Sequence, residues 1–489
     1  MSASQASPPG RPFRIAIVGS GPSGFYAAAA LLKQDRHPVA IDFFDRLPTP
    51  YGLVRGGVAP DHQNIKGVIR VYEKLARRDG IRFFGNVLVG RDLTMDELTR
   101  GYDHVVIACG NESHRRMGIP GEDLDGVHSA TEFVGWYNGH PDYHDRAFPL
   151  ATARRVAVVG NGNVAMDVTR VLAKSADRLA ATDIASYALD ALGRSAVEEV
   201  HVLGRRGPAE AAFTAKEVKE IGSLEDADMI VDPRDAELDA ESARWLAEHG
   251  SPGARRNVEY LAEKSRATPR GLGRRVHFRF LVSPIEFLGD HGELEAVRLE
   301  RNELFPDQHG TPRPRGTGET WVEPFQMALT AVGYRGVPIA GCPFDEREGI
   351  LPNTEGRILG ANGSPLPGLY AVGWAKRGPT GLIGDNVADA EETVRHMLED
   401  LDAAAAARAA AAGNDPARDG DAARPRIERS LESRGVAWVT FEDWTRLDAL
   451  EVARGKERGK IREKFPNVES MLDAIGRQGR GAGRSDAAP

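Results

Sequence analysis

Two stretches of the chain repeat one pattern of apolar and polar positions. Arg14–Val18 (RIAIV) and Arg155–Val159 (RVAVV) are short β-branched runs, each followed at once by glycines and then by apolar residues at helical spacing. The pattern predicts strand, tight turn and helix, written twice. Between them, Val39–Phe44 and Val105–Ala108 predict further strands and Ile65–Arg78 a helix; after the second unit, Val200–Leu203 predicts a strand and the stretch from Ala212 a helix. Strands alternating with helices predict parallel sheets in an α/β fold. From His277 to Leu299 the pattern shifts to near-alternation, with a break at Ser283-Pro284 and a polar turn at Gly289–Gly292, which predicts an antiparallel meander. Gln326–Ala331 and Gly368–Val372 predict the last strands. Ser175–Ser195 reads as a helical insertion, Ala403–Asp419 as a helix end or linker, and Trp438, Trp444 and Leu447 predict that the tail Gly435–Leu472 packs.

Composition narrows the classes. A chain of 489 residues with 41% apolar and 27% charged residues has the material for about three folding units and a sizeable core. Its 63 basic against 71 acidic residues give a net charge of −8, which argues against a general nucleic-acid binder. Only Cys109 and Cys342 are present, so no disulfide framework, CxxC redox pair or cysteine-ligated cluster is available, no metal centre is expected, and a reducing compartment is implied. Met1–Pro12 lacks the apolar core of a secretory signal, and no run approaches the roughly 20 apolar residues of a spanning helix; a cytoplasmic protein without membrane attachment is expected.

The glycines carry the chemistry. Gly19-Ser20-Gly21-Pro22-Ser23-Gly24 matches GxGxxG between a predicted strand and a predicted helix, where bare backbone N–H groups and the helix dipole favour a pyrophosphate. Asp45, at the end of the next strand, is the acid placed to hold a ribose hydroxyl; Asp42, mid-strand, is its competitor. Flavin and nicotinamide dinucleotides share an ADP half, so this turn does not choose between them. The second turn, Gly160-Asn161-Gly162-Asn163-Val164-Ala165, has the allowed alanine at its third position, and its next strand ends in Gly204-Arg205-Arg206. Two guanidiniums stand where an NAD site would carry a carboxylate, and a guanidinium pairs a phosphate bidentately, so NADP(H) is expected there.

Two dinucleotides on one chain imply hydride passing between a nicotinamide and a flavin. Disulfide reduction is disfavoured because Cys109 has no neighbouring thiol in sequence. Phe133-Val134-Gly135 with Gly139-His140 approaches the FxGxxxH pattern of flavin monooxygenases, but His140 falls one residue late. A one-electron acceptor protein needs a docking face, and Arg255–Arg279 offers eight basic residues against Glu259 and Glu263, to which an acidic ferredoxin would be steered. A non-catalytic NADP(H)-sensing flavoprotein is the alternative of a different class.

Further motifs carry a resemblance. Thr49-Pro50-Tyr51-Gly52-Leu53-Val54-Arg55, Gly57-Val58-Ala59-Pro60-Asp61-His62, Ile119-Pro120-Gly121-Glu122, Gly204–Pro208, Ala212-Phe213-Thr214 and Trp374–Gly381 resemble, in order, adrenodoxin reductase and the related bacterial ferredoxin–NADP reductases, from about Arg14 to Leu472. The resemblance implies two Rossmann-like dinucleotide-binding domains of glutathione-reductase-like fold. An NADP-binding domain, 111–332, is inserted into a discontinuous FAD-binding domain, 1–110 and 333–489. It implies FAD contacts at Gly19, Gly21, Ser23, Gly24, Asp45, Leu53, Val87, Trp374, Gly381, Leu382 and Ile383. It implies NADP contacts at Gly160, Asn161, Gly162, Asn163, Val164, Arg205, Arg206, Glu217 and Gly381. His62 and Glu217 are the implied positioning or proton-assisting groups at the nicotinamide–flavin contact. The implied partner is a ferredoxin-type iron–sulfur protein, feeding a cytochrome P450 or another iron–sulfur-dependent enzyme. This chain departs from the family's pattern at Asp45, Ala209-Glu210, Asp385 and Val387; Glu210 puts a carboxylate near the expected 2′-phosphate site, where it would weaken NADPH preference or pair with Arg205 or Arg206.

Overall fold

The computed structural model describes residues 12–411 and 424–477; of the linker expected over 403–419, the part beyond Ala411 lies outside the described residues, and the part before it belongs to the helix Asn386–Ala411. Phe13–Val18 sits inside a seven-stranded sheet, paired in parallel with Val39–Phe44 on one side and His104–Ile107 on the other. Ile81–Phe84 extends the sheet past Val39–Phe44. On the opposite edge Pro365–Ala371 pairs in parallel with His104–Ile107, followed by the short antiparallel strands Arg357–Leu359 and Asn353–Thr354. The chain therefore leaves this sheet after residue 107 and returns to it only after residue 350.

The intervening chain builds a second, six-stranded parallel sheet in the order Val127–Ser129, Met327–Thr330, Arg155–Val159, Glu199–Gly204, Arg274–Phe280, Ala227–Val231. A three-stranded antiparallel sheet, Val282–Asp290, Glu293–Pro306 and Pro312–Pro324, accompanies it. Two expectations need correction. The run from His277 is not all meander: Arg274–Phe280 is an interior strand of the parallel sheet, and the meander begins at Val282. Alternation reports a half-buried strand but not its neighbour. The helix expected over Ile65–Arg78 is two, Gln63–Lys66 and Ile69–Ala76, parted at Gly67.

Each sheet has its own core. Phe25 stacks between Phe43 and Tyr72, with centroids 4.9 and 4.7 Å away, beneath Ile15 and Ile17. Phe133, Val156, Val158 and Val168 fill the second. The tail packs as expected: Trp444 and Leu447 on the helix Phe441–Glu457 are buried against the first module. The tail also spans the seam. Lys464 Nζ donates to the carbonyls of Arg55 (3.1 Å) and Asn138 (2.7 Å) and lies 3.3 Å from Asp183, which Lys66 also pairs at 2.7 Å. Among the described residues no helix is long and apolar enough to cross a membrane.

Glu451 anchors this tail. It is fully buried and accepts from Arg55 (2.6 and 2.9 Å) and Arg462 (2.9 Å), while the Arg55 guanidinium lies over the Trp444 ring. Glu451→Ala leaves two arginines without their buried counter-ion and is expected to cost about 3–5 kcal/mol, read from urea unfolding; a loss under about 1 kcal/mol would show that the tail does not depend on this cluster.

Candidate functional site

The first glycine turn closes between the strand Phe13–Val18 and the helix Pro22–Lys33. Gly19 has φ +104°, and a Cβ there would lie 2.5 Å from the Ala108 carbonyl oxygen; a Cβ on Gly24 would lie 2.3 Å from the carbonyl oxygen of Gly19. Gly21 differs: its Cβ would meet only the Gly52 Cα, at 3.9 Å. The first and third glycines thus permit the turn and the close packing of helix on strand, and the second leaves backbone accessible, as a pyrophosphate requires. Asp45 ends its strand over this turn, accepting from the Ser20 hydroxyl and from the backbone N–H groups of Ser20 and Leu47, both at 3.0 Å. Burial raises its carboxyl above the usual range, against the Ser20 hydrogen bond that lowers it. Asp42 is buried and taken by Arg82 (2.7 and 2.8 Å) and the Tyr102 hydroxyl (2.7 Å), so it is not the ribose acid.

The chain's later segment returns to the same turn. Ser23 donates to Asn386 Oδ1 at 3.0 Å, and a Cβ on Gly373 would collide with the Ser23 side chain. Trp374 is half-buried, donates from Nε1 to the Thr380 carbonyl at 3.0 Å and packs on Tyr334 with centroids 5.3 Å apart. Gly381 (φ +82°), Leu382 and Ile383 form a largely exposed loop at the start of the helix Asn386–Ala411, held by Asp385, which accepts from the Leu382 N–H at 2.6 Å. Leu53 opens a short helix after Gly52, beside Gly21; Val87 is buried, with its N–H on the Asp45 carbonyl at 2.8 Å.

The second turn repeats the logic. Gly160 has φ +120°, with its would-be Cβ 2.4 Å from the Ala331 carbonyl oxygen, whereas a Cβ on Gly162 would meet nothing within 4 Å. Asn161 lies against Gly204, the residue before Arg205, since a Cβ on Gly204 would be 2.8 Å from Asn161 Nδ2. Asn163 and Val164 open the helix Asn163–Ala173, and Asn163 Oδ1 accepts from the Thr214 N–H at 2.9 Å, tying this turn to the helix Ala215–Gly222 that carries Glu217. Arg205 is exposed and Arg206 half-buried, and among the described residues neither guanidinium makes a hydrogen bond or ion pair. Burial and the Arg205 charge hold Arg206 below the usual arginine range. Two adjacent uncompensated cations suit a dianionic phosphate.

A charged network joins the modules around Arg170, which is 1% exposed. Its Nε and Nη2 reach both oxygens of Asp61 (2.8 and 3.0 Å), Nη2 also reaches Asp167 (2.6 Å), and Nη1 reaches Glu217 (3.1 Å). Nη2 lies 3.4 Å from His62 Nδ1, while His62 Nε2 is 2.8 Å from Glu220. Nη2 has two N–H groups, which Asp61 and Asp167 take, so its approach to His62 Nδ1 is a weaker third contact, and Glu220 is the near partner of His62 Nε2. Burial, then the Asp167 charge, raises the Glu217 carboxyl above its usual range. Burial works the same way on Asp61, but Arg170 and Lys174 hold it well below that range. His62 and Glu217 are thus brought together, 3.9 Å apart, from different modules. Arg170, Asp167 and Glu220 went unnoticed in the sequence, and Asp61 stood there only as part of the Gly57–His62 motif; the available signal was Asp167 and Arg170, three positions apart on a largely apolar helix.

Other candidates dissolve. Phe133 and Gly135 lie inside the core helix Ala130–Tyr137, and His140 is packed on Gly56 with burial pushing its pKa down to about 4, so the near-FxGxxxH pattern is core packing. Burial pushes both Cys109 and Cys342 up to about 12 and makes neither a ready nucleophile. The basic run is divided: Arg270 pairs Asp228, Arg275 pairs Glu199, Arg279 pairs Glu323 and Arg274 donates to the Lys174 carbonyl, while Arg255, Arg256 and Arg266 stay exposed. Glu210 forms no ion pair with Arg205 or Arg206; its hydrogen-bond partner is Ser242, at 3.1 Å.

Two glycine turns of one design, each ending a strand of its own parallel sheet and joined across a charged seam, define a two-dinucleotide oxidoreductase fold. The family model for pyridine nucleotide-disulphide oxidoreductases matches residues 13–221. NADPH-ferredoxin reductase FprA of Mycobacterium leprae is 44% identical over 462 residues, covering 94% of this chain and 97% of that one. The mitochondrial NADPH:adrenodoxin oxidoreductase of Arabidopsis thaliana is 39% identical over 485 residues, covering 95% of each. The solved structure of Mycobacterium tuberculosis FprA in complex with NADPH superposes with a TM-score of 0.88 at 42% identity, covering 95% of this chain and all of that one. The chain belongs to the family of FprA-type NADPH-ferredoxin reductases and NADPH:adrenodoxin oxidoreductases.

Two outcomes follow from the geometry. Gly162→Ala has room in the fold and is expected to cost no more than about 1 kcal/mol of stability while weakening dinucleotide binding at the second turn by at least about tenfold; equal binding by the variant would show that the open glycine faces no ligand. Arg170→Leu strands Asp61, Asp167 and Glu217 and is expected to cost about 3–5 kcal/mol. Because Asp61 is held below its usual value, its contribution is full above about pH 4 and is lost as the pH falls further. Urea midpoints taken across about pH 3–6 should fall on acidification in the parent chain and change less in Arg170→Leu.

Proposed function

We propose that the chain is an FAD-dependent ferredoxin–NADP+ reductase: it accepts a hydride from NADPH and delivers electrons singly to a ferredoxin-type iron–sulfur protein. The observation that carries this reading is the pair of glycine turns with close-packed first and accessible second glycines, one of them followed by the uncompensated Arg205 and Arg206. FAD, when bound, supplies the exchange between a two-electron hydride and single electrons. Residues 1–110 and 333–489 form the FAD-binding domain and 111–332 the NADP-binding domain, a division supported by the return of the chain to the first sheet after residue 350.

In this reading Gly19, Gly21, Ser23 and Gly24 bind the FAD pyrophosphate, Asp45 its ribose, and Leu53 and Val87 line its course. Trp374 and the Gly381–Ile383 loop lie at the ring, where small residues let backbone N–H groups face developing negative charge. Gly160, Asn161, Gly162, Asn163 and Val164 bind the NADP pyrophosphate, Arg205 and Arg206 its 2′-phosphate, and Gly381 approaches the nicotinamide. Hydride transfer needs no general base, so His62 and Glu217 orient the nicotinamide. The Arg170 network supports this by locking their positions. For docking of the iron–sulfur protein the run Arg255–Arg279 offers Arg255, Arg256 and Arg266, which stay exposed, whereas Arg270, Arg275 and Arg279 are taken by carboxylates. A cytochrome P450 or another iron–sulfur-dependent enzyme is the downstream user that a single-electron carrier makes accessible. A cytoplasmic setting fits two half-buried, unpaired cysteines.

Anaerobic NADPH should bleach the flavin of the purified protein, and cytochrome c reduction should require added ferredoxin. An unchanged flavin spectrum would leave a non-catalytic NADP(H)-sensing protein as the better reading. Arg205→Ala and Arg206→Ala should each raise the KM for NADPH on the order of tenfold, with the KM for NADH nearly unmoved; equal effects on both donors would contradict the phosphate assignment.

A further inference from the structure

We propose that Glu210 is held as a neutral carboxylic acid behind Arg206, and that its ionisation sets how strongly the chain prefers a 2′-phosphorylated dinucleotide. The proposal rests on the assignment of Arg205 and Arg206 to the 2′-phosphate. It starts from a count of protons around Ser242. The Ser242 hydroxyl lies 2.8 Å from Asp239 Oδ2 and 3.1 Å from Glu210 Oε2, yet it has one proton to give. Asp239 is the N-cap of the helix Ala240–His249: its Oδ1 accepts from the N–H groups of Glu241 (2.9 Å) and Ser242 (3.0 Å) at the positive end of that helix. The shorter contact takes the hydroxyl proton to Asp239. Only lone pairs then face Glu210, and a hydrogen bond there requires the proton to come from Glu210.

The packing around the carboxyl favours the same state. Glu210 is buried, and its Oε1 has no hydrogen-bond partner among the described residues, a costly condition for a carboxylate and a cheaper one for an acid. A Cβ on Gly207 would sit 2.9 Å from Glu210 Oε2 and 3.0 Å from Ser242 Oγ, so the backbone closes over this contact. Burial pushes the carboxyl above its usual range and the Asp239 charge adds to this, while the Ser242 hydrogen bond, then Arg206, pulls the other way. The remaining charged neighbours are Arg205 and Arg313, which act on Arg206, together with Glu241, paired to Arg244, and the exposed Arg255 and Arg256 of the adjacent helix Pro252–Lys264. As a neutral acid Glu210 leaves both guanidiniums uncompensated and available to a phosphate. Once ionised, it places a negative charge beside Arg206 that competes with the phosphate dianion.

The test is equilibrium binding of NADP+ and NAD+ to the FAD-loaded protein, followed by perturbation of the flavin absorbance, between about pH 5 and about pH 9, with Glu210→Gln as the reference in which the 2′-phosphate titrates alone. Relative to that reference the Kd for NADP+ should rise about fivefold with pH while that for NAD+ stays level. Glu210→Gln, nearly isosteric, should bind NADP+ tightly with no such rise. Asp239→Asn keeps the helix cap but removes the neighbouring charge, and should move the rise to lower pH. A level wild-type profile, a rise that survives in Glu210→Gln, or one that stays in place in Asp239→Asn would overturn the proposal. Arg206→Ala separates the two readings: if it weakens NADP+ no more than NAD+, the phosphate assignment fails, whatever Glu210 does.

Discussion

One buried guanidinium organises the meeting of the two modules. Arg170 cannot lose its proton, and taking its charge out of water is tolerable only if its N–H groups are engaged and negative charge surrounds it. That requirement is met from both sides of the seam: Asp61 and His62 come from the loops over the first sheet, and Asp167, Glu217 and Glu220 from helices on the second. The modules cannot slide without stranding a buried charge. His62 and Glu217, which neither module could place alone, are positioned as a consequence.

The tail reinforces the same seam by different means. Lys460 donates to the Ile184 carbonyl, Glu463 accepts from the Ser186 hydroxyl at 2.6 Å, and Lys464 reaches Asp183 together with carbonyls from both modules. The insertion Ala176–Gly193 is therefore part of the mechanism of assembly: it is where the tail fastens the second module. Burial, opposed by Asp183 and aided by Lys66, pulls Lys464 down to about 7, which shows how far from water this junction lies.

The two glycine turns share a backbone solution and differ in what surrounds it. At the first, Asp45, Ser23 and the returning Gly373–Asn386 segment enclose the turn, and the guanidinium that reaches Asn386 there, that of Arg377, is paired with Asp389. At the second, Asn161 and Gly204 lead to Arg205 and Arg206, whose charges no carboxylate opposes directly. The shared geometry suits a pyrophosphate at each; the proposed division between a flavin and a phosphorylated nicotinamide rests on the surroundings.

Much of this was legible in the chain alone, because its causes are local. Strand periodicity located Val39–Phe44 and Arg155–Val159 to the residue, and the spacing of Gly19, Gly21 and Gly24 follows from sterics within one turn. Arg205 and Arg206 were readable because they follow a strand at a known offset from the second turn. What sequence could not supply depends on residues far apart meeting. The alternation of Arg274–Phe280 did not say that its neighbours would be parallel strands. Of the eight basic residues of Arg255–Arg279, the fold brought Asp228, Glu199 and Glu323 to three, Arg270, Arg275 and Arg279, and left Arg255, Arg256 and Arg266 exposed. Arg170 carried no signal of its own, and Glu210 read as a carboxylate that would weaken NADPH preference or pair with Arg205 or Arg206, until packing set the first among distant carboxylates and turned the second toward Ser242. A turn is specified by its own backbone; a charge acquires its role only when tertiary structure decides who faces it and how much water remains.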